Sequence, residues 1–584
     1  MSGELRQLRS NLLPATIWDA ESVSFPIDTA AAPLPENNQL GQRLIAQGKL
    51  NTVQLDYAVQ KQQVEGGRLG LILVRHGLLS ERDLALNLAQ QRGFPFMDVR
   101  TASQPDAQLL SMFKRDLCLN RGFMPLRYVG NAVQVLVGDG DPAVLTDLVQ
   151  SLCGYPPAFY QCEFTHLMQL VRQSYYFAQN PVESLIHQEI AEISEDADRS
   201  KSPEKLLEYV LHLAVRERAT DVHLVPSASS YHLLLRVDGV LQPMFAMPLV
   251  LSRLVVYLKL GSEMDITEQR KPQDGSFHAT VLDTPFTVRA STLITENGER
   301  MVLRLLSERS DLSQLEQLGF RGKDIALLQR MFAKPSGMVL LTGPTGSGKS
   351  TTLHAALRLQ ALIERNVLTV EDPIEYRLPT IAQTQVNRRA GYEFSTALRH
   401  FLRHDPDVIL VGEIRDSETA MAAVTASATG HLVLSTLHVS GVFGVMTRLG
   451  PLGLEPQTIA ENLVAVINQR LVRRNCPFCS AAVQATQGQA LWLGEYGIAK
   501  LQKGCGCPRC GNTGFLGRLP IYEILTVDES LANAIADGQS RAKLQDIALS
   551  SGFEPMLEMA KWRISQGETT FEEVTRVTGD DLVV

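Results

Sequence analysis

The pattern of apolar and polar positions changes several times along the 584 residues of the chain. Between residues 325 and 470, short apolar runs such as MVLLTG, DVILVGE and HLVLSTLH alternate with longer segments of helical spacing. Short apolar runs bounded by turn residues favour buried strands, and strands that alternate with helices are typical of a parallel sheet wrapped by helices. This part of the chain is therefore predicted to be an α/β domain.

Other stretches have different patterns, which divide the chain into predicted segments. Upstream of the α/β pattern, YHLLLRVDG and FTVRAST are predicted strands within an alternation of helix and strand, and residues beyond 527 show helical spacing. The predicted segments are a disordered tail (1–37), an amino-terminal domain with a helical repeat and a mixed subdomain (38–180), an acidic linker with helix at its start (181–205), an α+β domain (206–318), the parallel-sheet domain (319–473), a cysteine-containing module (474–520) and a C-terminal helical region (521–584).

The amino-terminal domain contains an internal repeat. Residues 40–62 align with residues 69–91 at an offset of 29, with seven identical positions among 23. Each copy predicts a short helix, a glycine-containing turn, a helix N-cap and a second helix. The predicted N-caps are Thr52 and Ser80.

Composition and charge narrow the class of protein. The net charge of −8 and the pI of about 5.9 argue against a nucleic-acid-binding protein, because such domains usually carry a basic face. The sequence shows no signal peptide and no apolar run long enough for a transmembrane helix. We expect a cytoplasmic protein that reaches the inner membrane only through partners.

A phosphate-binding loop follows the apolar run Met338–Leu341. GPTGSGKST fits the pattern GxxxxGK[ST], in which backbone N–H groups surround phosphates, the lysine contacts the β- and γ-phosphates and the hydroxyl binds Mg²⁺. The strand before it and the helix after it are the context that this motif requires. The predicted ATP-binding residues are Gly343, Pro344, Thr345, Gly346, Ser347, Gly348, Lys349, Ser350 and Thr351, with Ser350 as the Mg²⁺ ligand.

Two carboxylates follow predicted strands downstream of this loop. Glu371 closes the strand in NVLTVED, and Glu413 follows the strand in DVILVGE. Ligands of open α/β sheets bind at the carboxyl ends of the strands, so both are candidates for activating water or holding Mg²⁺. His431 and His438, at the two ends of HLVLSTLH, are candidate γ-phosphate sensors or contacts at a subunit edge. These residues do not by themselves rank Glu371 against Glu413.

Five of the eight cysteines fall within 35 residues. CPFC and CPRC form two CxxC pairs, Cys476 with Cys479 and Cys507 with Cys510, separated by 27 residues. Two such pairs complete a tetrahedral Cys₄ zinc site with no open position, which favours a structural metal over free thiols. Cys505 is a spare cysteine that could compete with Cys507.

The order GPTGSGKST, VEDPIEY, GEIRD and TGHLVLSTLH resembles the Walker A, aspartate, Walker B and histidine boxes of the secretion ATPases that drive type II secretion and type IV pilus assembly. The resemblance implies a RecA-like ATPase domain preceded by an N2 domain. It implies Glu371 as the general base and Glu413 as the Walker B residue. It also implies that Arg289 and Arg304 are arginine fingers that reach the γ-phosphate; the alternative is that they form surface ion pairs.

The same resemblance implies a homohexamer that hydrolyses ATP and moves an inner-membrane platform protein, together with cytoplasmic assembly proteins, to polymerise pilin or to drive type II secretion. The sequence does not separate these two loads, and it does not give the symmetry of the ring. The alternatives are a DNA-processing, conjugation-type ATPase and a cyclic di-GMP-responsive scaffold with little turnover.

The amino-terminal repeat is similar to the cyclic di-GMP-binding domain of some of these ATPases, in which each copy begins Arg-Leu-Gly. The second copy does so at Arg68, but the first begins with Gln39, and Asn87 stands where a small alanine is usual. Loss of an arginine removes a planar charged contact to the nucleotide. The alternative for this domain is a helical docking module for a membrane-bound platform.

Overall fold

The computed structural model describes residues 38–196, 201–307, 314–360, 364–496 and 500–579. The predicted disordered tail, residues 1–37, lies outside the described residues. The chain divides into two compact units. The first comprises residues 1–74 and 79–310, and the second comprises residues 75–78 and 311–584.

The two repeat copies form helix–turn–helix pairs, as predicted. Their helices are α1 (Asn38–Ala46), α2 (Thr52–Glu65), α3 (Leu69–Arg75) and α4 (Glu81–Arg92). A Cβ atom at Gly41 would lie 2.7 Å from Cδ1 of Leu55, and one at Gly70 would lie 2.7 Å from Cδ1 of Leu84. The glycine and the leucine therefore recur together because two helices touch at that point in each copy.

Ser80 is the N-cap of α4, as predicted, and its side chain accepts a hydrogen bond from the backbone N–H of Asp83. The prediction for Thr52 is wrong by one residue. Asn51 caps α2, and Asn51 and Gln54 form a reciprocal capping box. Asn51 is the N-cap because its side-chain oxygen accepts from the backbone N–H of Gln54, and the Gln54 side chain accepts from the backbone N–H of Asn51.

A three-stranded sheet completes the amino-terminal part of the first unit. The elements are α5 (Ala107–Met112), α6 (Arg115–Arg121), β1 (Phe123–Val129), β2 (Ala132–Val137), α7 (Pro142–Cys153), β3 (Pro157–Gln161) and α8 (Phe164–Gln179). β2 lies in the middle, antiparallel to β1 and parallel to β3. The apolar side chains of the sheet and of α8 share one core.

The rest of the first unit is a six-stranded antiparallel sheet with helices. The elements are α9 (Val182–Glu195), α10 (Glu204–Arg216), β4 (Ala219–Pro226), β5 (Ser230–Val237), β6 (Val240–Pro248), α11 (Ser252–Gly261), β7 (Gln273–Val281), β8 (Thr284–Thr295) and β9 (Gly298–Ser307), and the strand order is β6-β5-β4-β9-β8-β7. The start of the predicted linker is helix α9. Its side chains Val182, Ile186 and Ile193 are fully buried in the core of this sheet, so α9 packs as part of the α+β fold.

The second unit is built on a seven-stranded sheet. Its helices and strands up to β15 are α12 (Gly322–Phe332), β10 (Gly337–Thr342), α13 (Lys349–Arg358), β11 (Val367–Glu371), β12 (Ala382–Gln385), α14 (Phe394–Phe401), β13 (Val408–Val411), α15 (Ser417–Ala428), β14 (Leu432–Leu437), α16 (Gly444–Leu449), α17 (Pro456–Asn462) and β15 (Leu463–Asn475). With β18 (Phe515–Thr526) as the last strand, the order is β12-β11-β13-β14-β10-β15-β18, and all neighbours are parallel except the last pair. The prediction of a parallel α/β domain is confirmed.

The cysteine-containing module lies between β15 and the antiparallel strand that pairs with it. The remaining elements are β16 (Ser480–Gln484), α18 (Gln487–Leu493), β17 (Lys500–Gly504), β18 (Phe515–Thr526), α19 (Glu529–Ala536), α20 (Arg541–Ser550), α21 (Met556–Ser565) and α22 (Phe571–Thr578). β16 and β17 form a separate antiparallel pair. Across the described residues, the helices all lack the combination of length and apolar character that a bilayer crossing requires.

Candidate nucleotide and metal sites

The phosphate loop connects the carboxyl end of β10 to the amino end of α13. Lys349 is buried, and its Nζ donates to the carbonyl oxygens of Gly343 at 2.8 Å and Pro344 at 3.0 Å. Burial lowers the pKa of Lys349, although Glu413 and Glu375 act against that shift. The ammonium group is thus held by carbonyl oxygens, which phosphate oxygens can replace. Such a loop fits a nucleoside triphosphate.

The hydroxyl groups of this loop support the same fit. Ser347 Oγ is buried and has no hydrogen-bond partner among the described residues, so a polar atom in the loop is left for a ligand. Ser350 lies in the first turn of α13, where backbone N–H groups and the helix dipole favour an anion.

Gln469 on β15 holds the loop from the neighbouring strand, and sequence reasoning missed it. Its Nε2 donates to the carbonyl oxygen of Ser347 at 2.7 Å, and its Oε1 accepts from Thr352 Oγ1 at 2.9 Å. A Cβ atom at Gly343 would lie 2.3 Å from the Gln469 carbonyl oxygen, and one at Gly348 would lie 2.7 Å from Gln469 Nε2. The two motif glycines are therefore also required by close packing against this residue.

Glu371 lies at the carboxyl end of β11, and its side chain is buried. Its Oε1 accepts from Thr369 Oγ1 at 2.7 Å and from Gln383 Nε2 at 3.0 Å, and its Oε2 lies 3.2 Å from Nε2 of His354. Burial opposes ionisation of Glu371, but His354, Thr369 and Gln383 outweigh burial and lower its pKa. The carboxylate is therefore kept charged in a water-poor position.

His354, on α13, was not among the predicted site residues. Burial lowers the pKa of its imidazole, but the Glu371 carboxylate outweighs burial, so the pKa is raised. The motif pattern ends at Thr351, so it contains no signal for a residue one turn later. The apolar–polar pattern of the helix predicts whether residue 354 is buried, but it does not predict which residue it contacts.

Glu413 follows β13 and is the centre of a second charged cluster. Arg415 Nη2 lies 2.7 Å from Glu413 Oε1, and His438 Nε2 lies 3.5 Å from Glu413 Oε2. Burial lowers the pKa of His438, and the charge of Lys349 contributes to the same shift. Glu413, His438 and Lys349 thus form one electrostatic group at the phosphate loop.

The structure separates the two predicted histidines. His431 precedes β14, where its carbonyl oxygen accepts from Gly337 N at the start of β10 and its Nδ1 lies 2.8 Å from the Ala426 carbonyl oxygen. β10 and β14 are parallel, so His431 lies at the edge of the sheet opposite to the phosphate loop. The prediction that His431 and His438 are γ-phosphate sensors or contacts at a subunit edge stays a prediction. A six-residue strand stands between them, and only His438 lies at the edge that carries the phosphate loop.

The sheet order brings the other predicted residues to one edge. β11, β13, β14 and β10 are consecutive parallel strands, so their carboxyl ends share an edge. That edge carries Glu371, Glu413, His438 and the phosphate loop. The Ser350 hydroxyl and the Glu413 carboxylate are oxygen ligands of the kind that Mg²⁺ prefers.

Arg289 and Arg304 belong to the first unit, where they are directly opposite each other on β8 and β9. Arg304 Nε donates to Asp221 Oδ1 at 2.9 Å, and the Arg304 side chain is 57% exposed. The carboxylate of Asp221 is in turn buried on β4. The guanidinium of Arg304 is therefore held on one side and accessible to solvent.

The four predicted metal-binding cysteines converge, with all four Sγ atoms within 4.8 Å of one another. The Cys476–Cys507 and Cys479–Cys510 Sγ distances are 3.8 and 3.9 Å. A tetrahedral zinc site with Zn–S bonds of about 2.3 Å has S–S edges of about 3.8 Å. The cluster therefore fits a tetrahedral metal, and Cys505 is not part of it.

Backbone donors favour the thiolate form of one of these cysteines. Burial raises the pKa of Cys510, but the N–H groups of Cys507 and Gly514, 3.2 and 3.3 Å from its Sγ, outweigh burial and lower the pKa to about 7. Thiolates are the form that binds metal.

The amino-terminal repeat places Arg68 at the start of its second copy, where Nη1 donates to the Asp139 carbonyl oxygen at 3.1 Å. Asn87 links the copies, because its Nδ2 donates to Gln47 Oε1 at 3.0 Å and to the Asp83 carbonyl oxygen at 3.0 Å. The Asn87 side chain therefore forms hydrogen bonds inside the domain. Gln39 lies in α1.

Comparisons with known proteins show the family of the chain. A sequence model of the type II/IV secretion system protein family matches residues 196–576. The type IV pilus assembly ATPase PilB of Thermus thermophilus is 37% identical over 92% of this chain and 66% of its own length. PilB of Myxococcus xanthus is 31% identical over 93% of this chain and 100% of its own length. Type II secretion system protein E of Pseudomonas aeruginosa is 42% identical over 65% of this chain and 76% of its own length.

Proposed function

The chain belongs to the type II/IV secretion system protein family and is an ATPase, and from that premise we propose that it hydrolyses ATP to power pilin polymerisation in type IV pilus assembly. The observation that carries the proposal is the shared edge of the parallel sheet, where the phosphate loop, Glu371 and Glu413 lie on the carboxyl ends of neighbouring strands. Type II secretion is the alternative load.

Relatives support the pilus over the secretion load. The two pilus assembly ATPases align with 92% and 93% of this chain, whereas the secretion protein E of Pseudomonas aeruginosa aligns with 65% of it. Similarity over the larger share of the chain therefore favours a pilus.

Each residue of the nucleotide site has a proposed role. Lys349 binds the β- and γ-phosphates, and Ser350 and Glu413 hold Mg²⁺. The bound Mg²⁺ supplies positive charge that offsets the charge of the phosphates. Glu371 accepts the proton of the attacking water, because its carboxylate is kept ionised and in place by its neighbours.

Arginines complete the site from another domain in this proposal. Arg304 is held by Asp221 on one side and is exposed on the other, which suits a residue that reaches a phosphate outside its own sheet. Arg289 stands beside it on the next strand. Arginines of one copy acting on the nucleotide of the next copy require a closed ring, and we propose a homohexamer that acts on an inner-membrane platform protein from the cytoplasm.

Two further ligands belong to this proposal. The Cys₄ cluster holds one structural zinc ion, supported by its tetrahedral sulfur spacing. The amino-terminal repeat binds cyclic di-GMP, supported by its paired helix–turn–helix copies and by Arg68. Calorimetric titration of the full chain with cyclic di-GMP, beside the variant Arg68→Gln, tests this second ligand, and the absence of heat from the wild type at high micromolar ligand rejects it.

The load is tested by deleting the gene in its own host and restoring it with the wild-type chain or with Glu413→Gln. We expect the deletion to remove surface pili and to leave protein secretion intact. The wild-type chain restores pili, and Glu413→Gln does not. Loss of secretion with pili retained would instead assign the chain to type II secretion.

A further inference from the structure

His354 has a fixed orientation inside the second unit. It lies one helical turn after Ser350, and its Nδ1 is 2.7 Å from the Ser350 carbonyl oxygen. Its ring packs against Tyr376, with ring centroids 5.2 Å apart and planes at 70°. The side chain is 4% exposed. The contacts with Ser350 and Tyr376 therefore fix the direction in which Nε2 of the imidazole points.

That direction is toward Glu371. His354 Nε2 lies 3.2 Å from Glu371 Oε2, while the other carboxylate oxygen is occupied by Thr369 and Gln383. Since a carbonyl oxygen only accepts, the hydrogen-bond geometry at Ser350 places a hydrogen on Nδ1 of His354. Nε2 is thus the ring nitrogen that faces Oε2, at the distance of an ion-pair contact.

The helix that carries His354 also carries the phosphate-binding groups. Lys349 and Ser350 form the first turn of α13, and His354 follows in the next turn of the same helix. A helix turn is rigid on the scale of a side-chain contact. A contact from this helix to Glu371 therefore fixes the carboxylate relative to the groups that hold the phosphates, although Glu371 belongs to a different strand.

We propose that His354 is a positioning residue for Glu371, holding its carboxylate in register with the phosphate loop. This inference rests on the proposed role of Glu371 as the base. The reaction depends on the distance from that carboxylate to the attacking water, and a displacement of about 1 Å can cost about 100-fold in rate. Thr369 and Gln383 hold only one of the two oxygens, so without His354 the second oxygen loses its fixed partner.

The test compares His354→Leu with His354→Gln in the full chain, with kcat and KM for ATP and the unfolding temperature measured for each. The amide nitrogen of glutamine can donate to Glu371 from the place of Nε2, whereas leucine has a similar volume and no donor. We expect His354→Leu to lower kcat about tenfold with KM within about twofold of the wild type, and His354→Gln to recover at least about half of the wild-type kcat.

Two results would overturn the proposal: a kcat for His354→Leu within about twofold of the wild type, or an equal fall of kcat in both variants. A purely structural role would instead lower the unfolding temperature and raise KM in both. Glu371→Gln is measured beside them, and we expect it to lower kcat by about 100-fold or more. If Glu371→Gln keeps the wild-type kcat, the assignment of the base fails. If it is inactive while His354→Leu is fully active, only the positioning role fails.

Discussion

The nucleotide site and the Cys₄ cluster belong to the same unit and are both connected to β15, yet they are assembled in opposite ways. Each half of the Cys₄ cluster is a local CxxC turn, and the four sulfur atoms are chemically alike. The nucleotide site combines residues far apart in the chain, as in the contact between Thr352 and Gln469 across 117 positions. The Cys₄ cluster is encoded locally, and the nucleotide site is created by the order of strands.

The two sites also differ in how their charges are balanced. In the nucleotide site, Lys349 lies near Glu413 and His354 lies beside Glu371, so opposite charges stabilise one another without any ligand. In the Cys₄ cluster, four groups that ionise to thiolates converge, and like charges need a cation between them. The nucleotide site should therefore keep its shape without ATP, whereas the cysteine module should depend on its metal.

The largest expected effect separates the chemistry of the two sites. Lys349→Ala should lower ATP turnover by about 100-fold or more, because the phosphates lose their charged partner. The zinc content should stay unchanged, since the cysteines lie in another element. Lys334→Ala removes an exposed lysine of the same unit and is the matched control. Turnover of Lys349→Ala above about a tenth of the wild type would contradict the assignment.

Removing metal ligands gives the reciprocal test. Cys476→Ser combined with Cys507→Ser should lose about one zinc ion per chain, measured by atomic emission. Its unfolding temperature should fall by about 5 °C or more, because metal binding contributes directly to folding. Cys505→Ser removes a cysteine outside the cluster and should change neither quantity. A double variant with the zinc content of the wild type would show that these thiols are not the ligands.

A smaller effect is expected at the strand that connects the two sites. Gln469→Leu should raise the KM for ATP about tenfold, because the loop and the first turn of α13 each lose a hydrogen bond that holds them to β15. The zinc content should again be unchanged. Gln484→Leu, at an exposed position on β16, is the matched control. An unchanged KM for Gln469→Leu would mean that the loop keeps its shape without β15.

The smallest effect concerns the carboxylate that supports β15 just before the cysteines. Glu573 is fully buried and accepts from Arg473 Nε at 3.0 Å and Arg576 Nε at 2.8 Å. Burial opposes its ionisation, but the two arginines outweigh burial and lower its pKa. A folded-state pKa below the unfolded value means a stabilisation that is present above the unfolded value of about 4.5 and is lost as the pH falls through the folded pKa.

Glu573→Gln should therefore lower the free energy of unfolding by about 1–2 kcal/mol at pH 7, and the difference from the wild type should shrink below about pH 4.5. Denaturant unfolding at pH 7 and pH 4 measures both values. Glu572→Gln, at the exposed neighbouring position, should show no such dependence on pH. A difference that grows on acidification has the wrong sign and would exclude this origin of the stability.

Several features of the fold followed from local patterns. The strands of the parallel sheet, the phosphate loop and the Cys₄ spacing were predicted because each depends on residues close together in the chain. The error at the N-cap of α2 arose because a local pattern had two physical solutions. Asn51 and Thr52 are both N-cap residue types, and only the reciprocal bond with Gln54 selects Asn51. His431 and His438 flank one strand, so local sequence places them at its opposite ends without showing which end lies at the phosphate loop.

The phosphate loop, the strand-end carboxylates that follow it and the closed set of four cysteines are all readable from the order of residues, since fixed spacing is enough to bring neighbouring residues together. The contact of His354 with Glu371 and the support of the phosphate loop by Gln469 depend instead on how the chain folds. These contacts join a helix and strands whose separation along the chain sets no distance in space. The order of strands in the sheet sets that distance, and neither periodicity nor composition specifies the order.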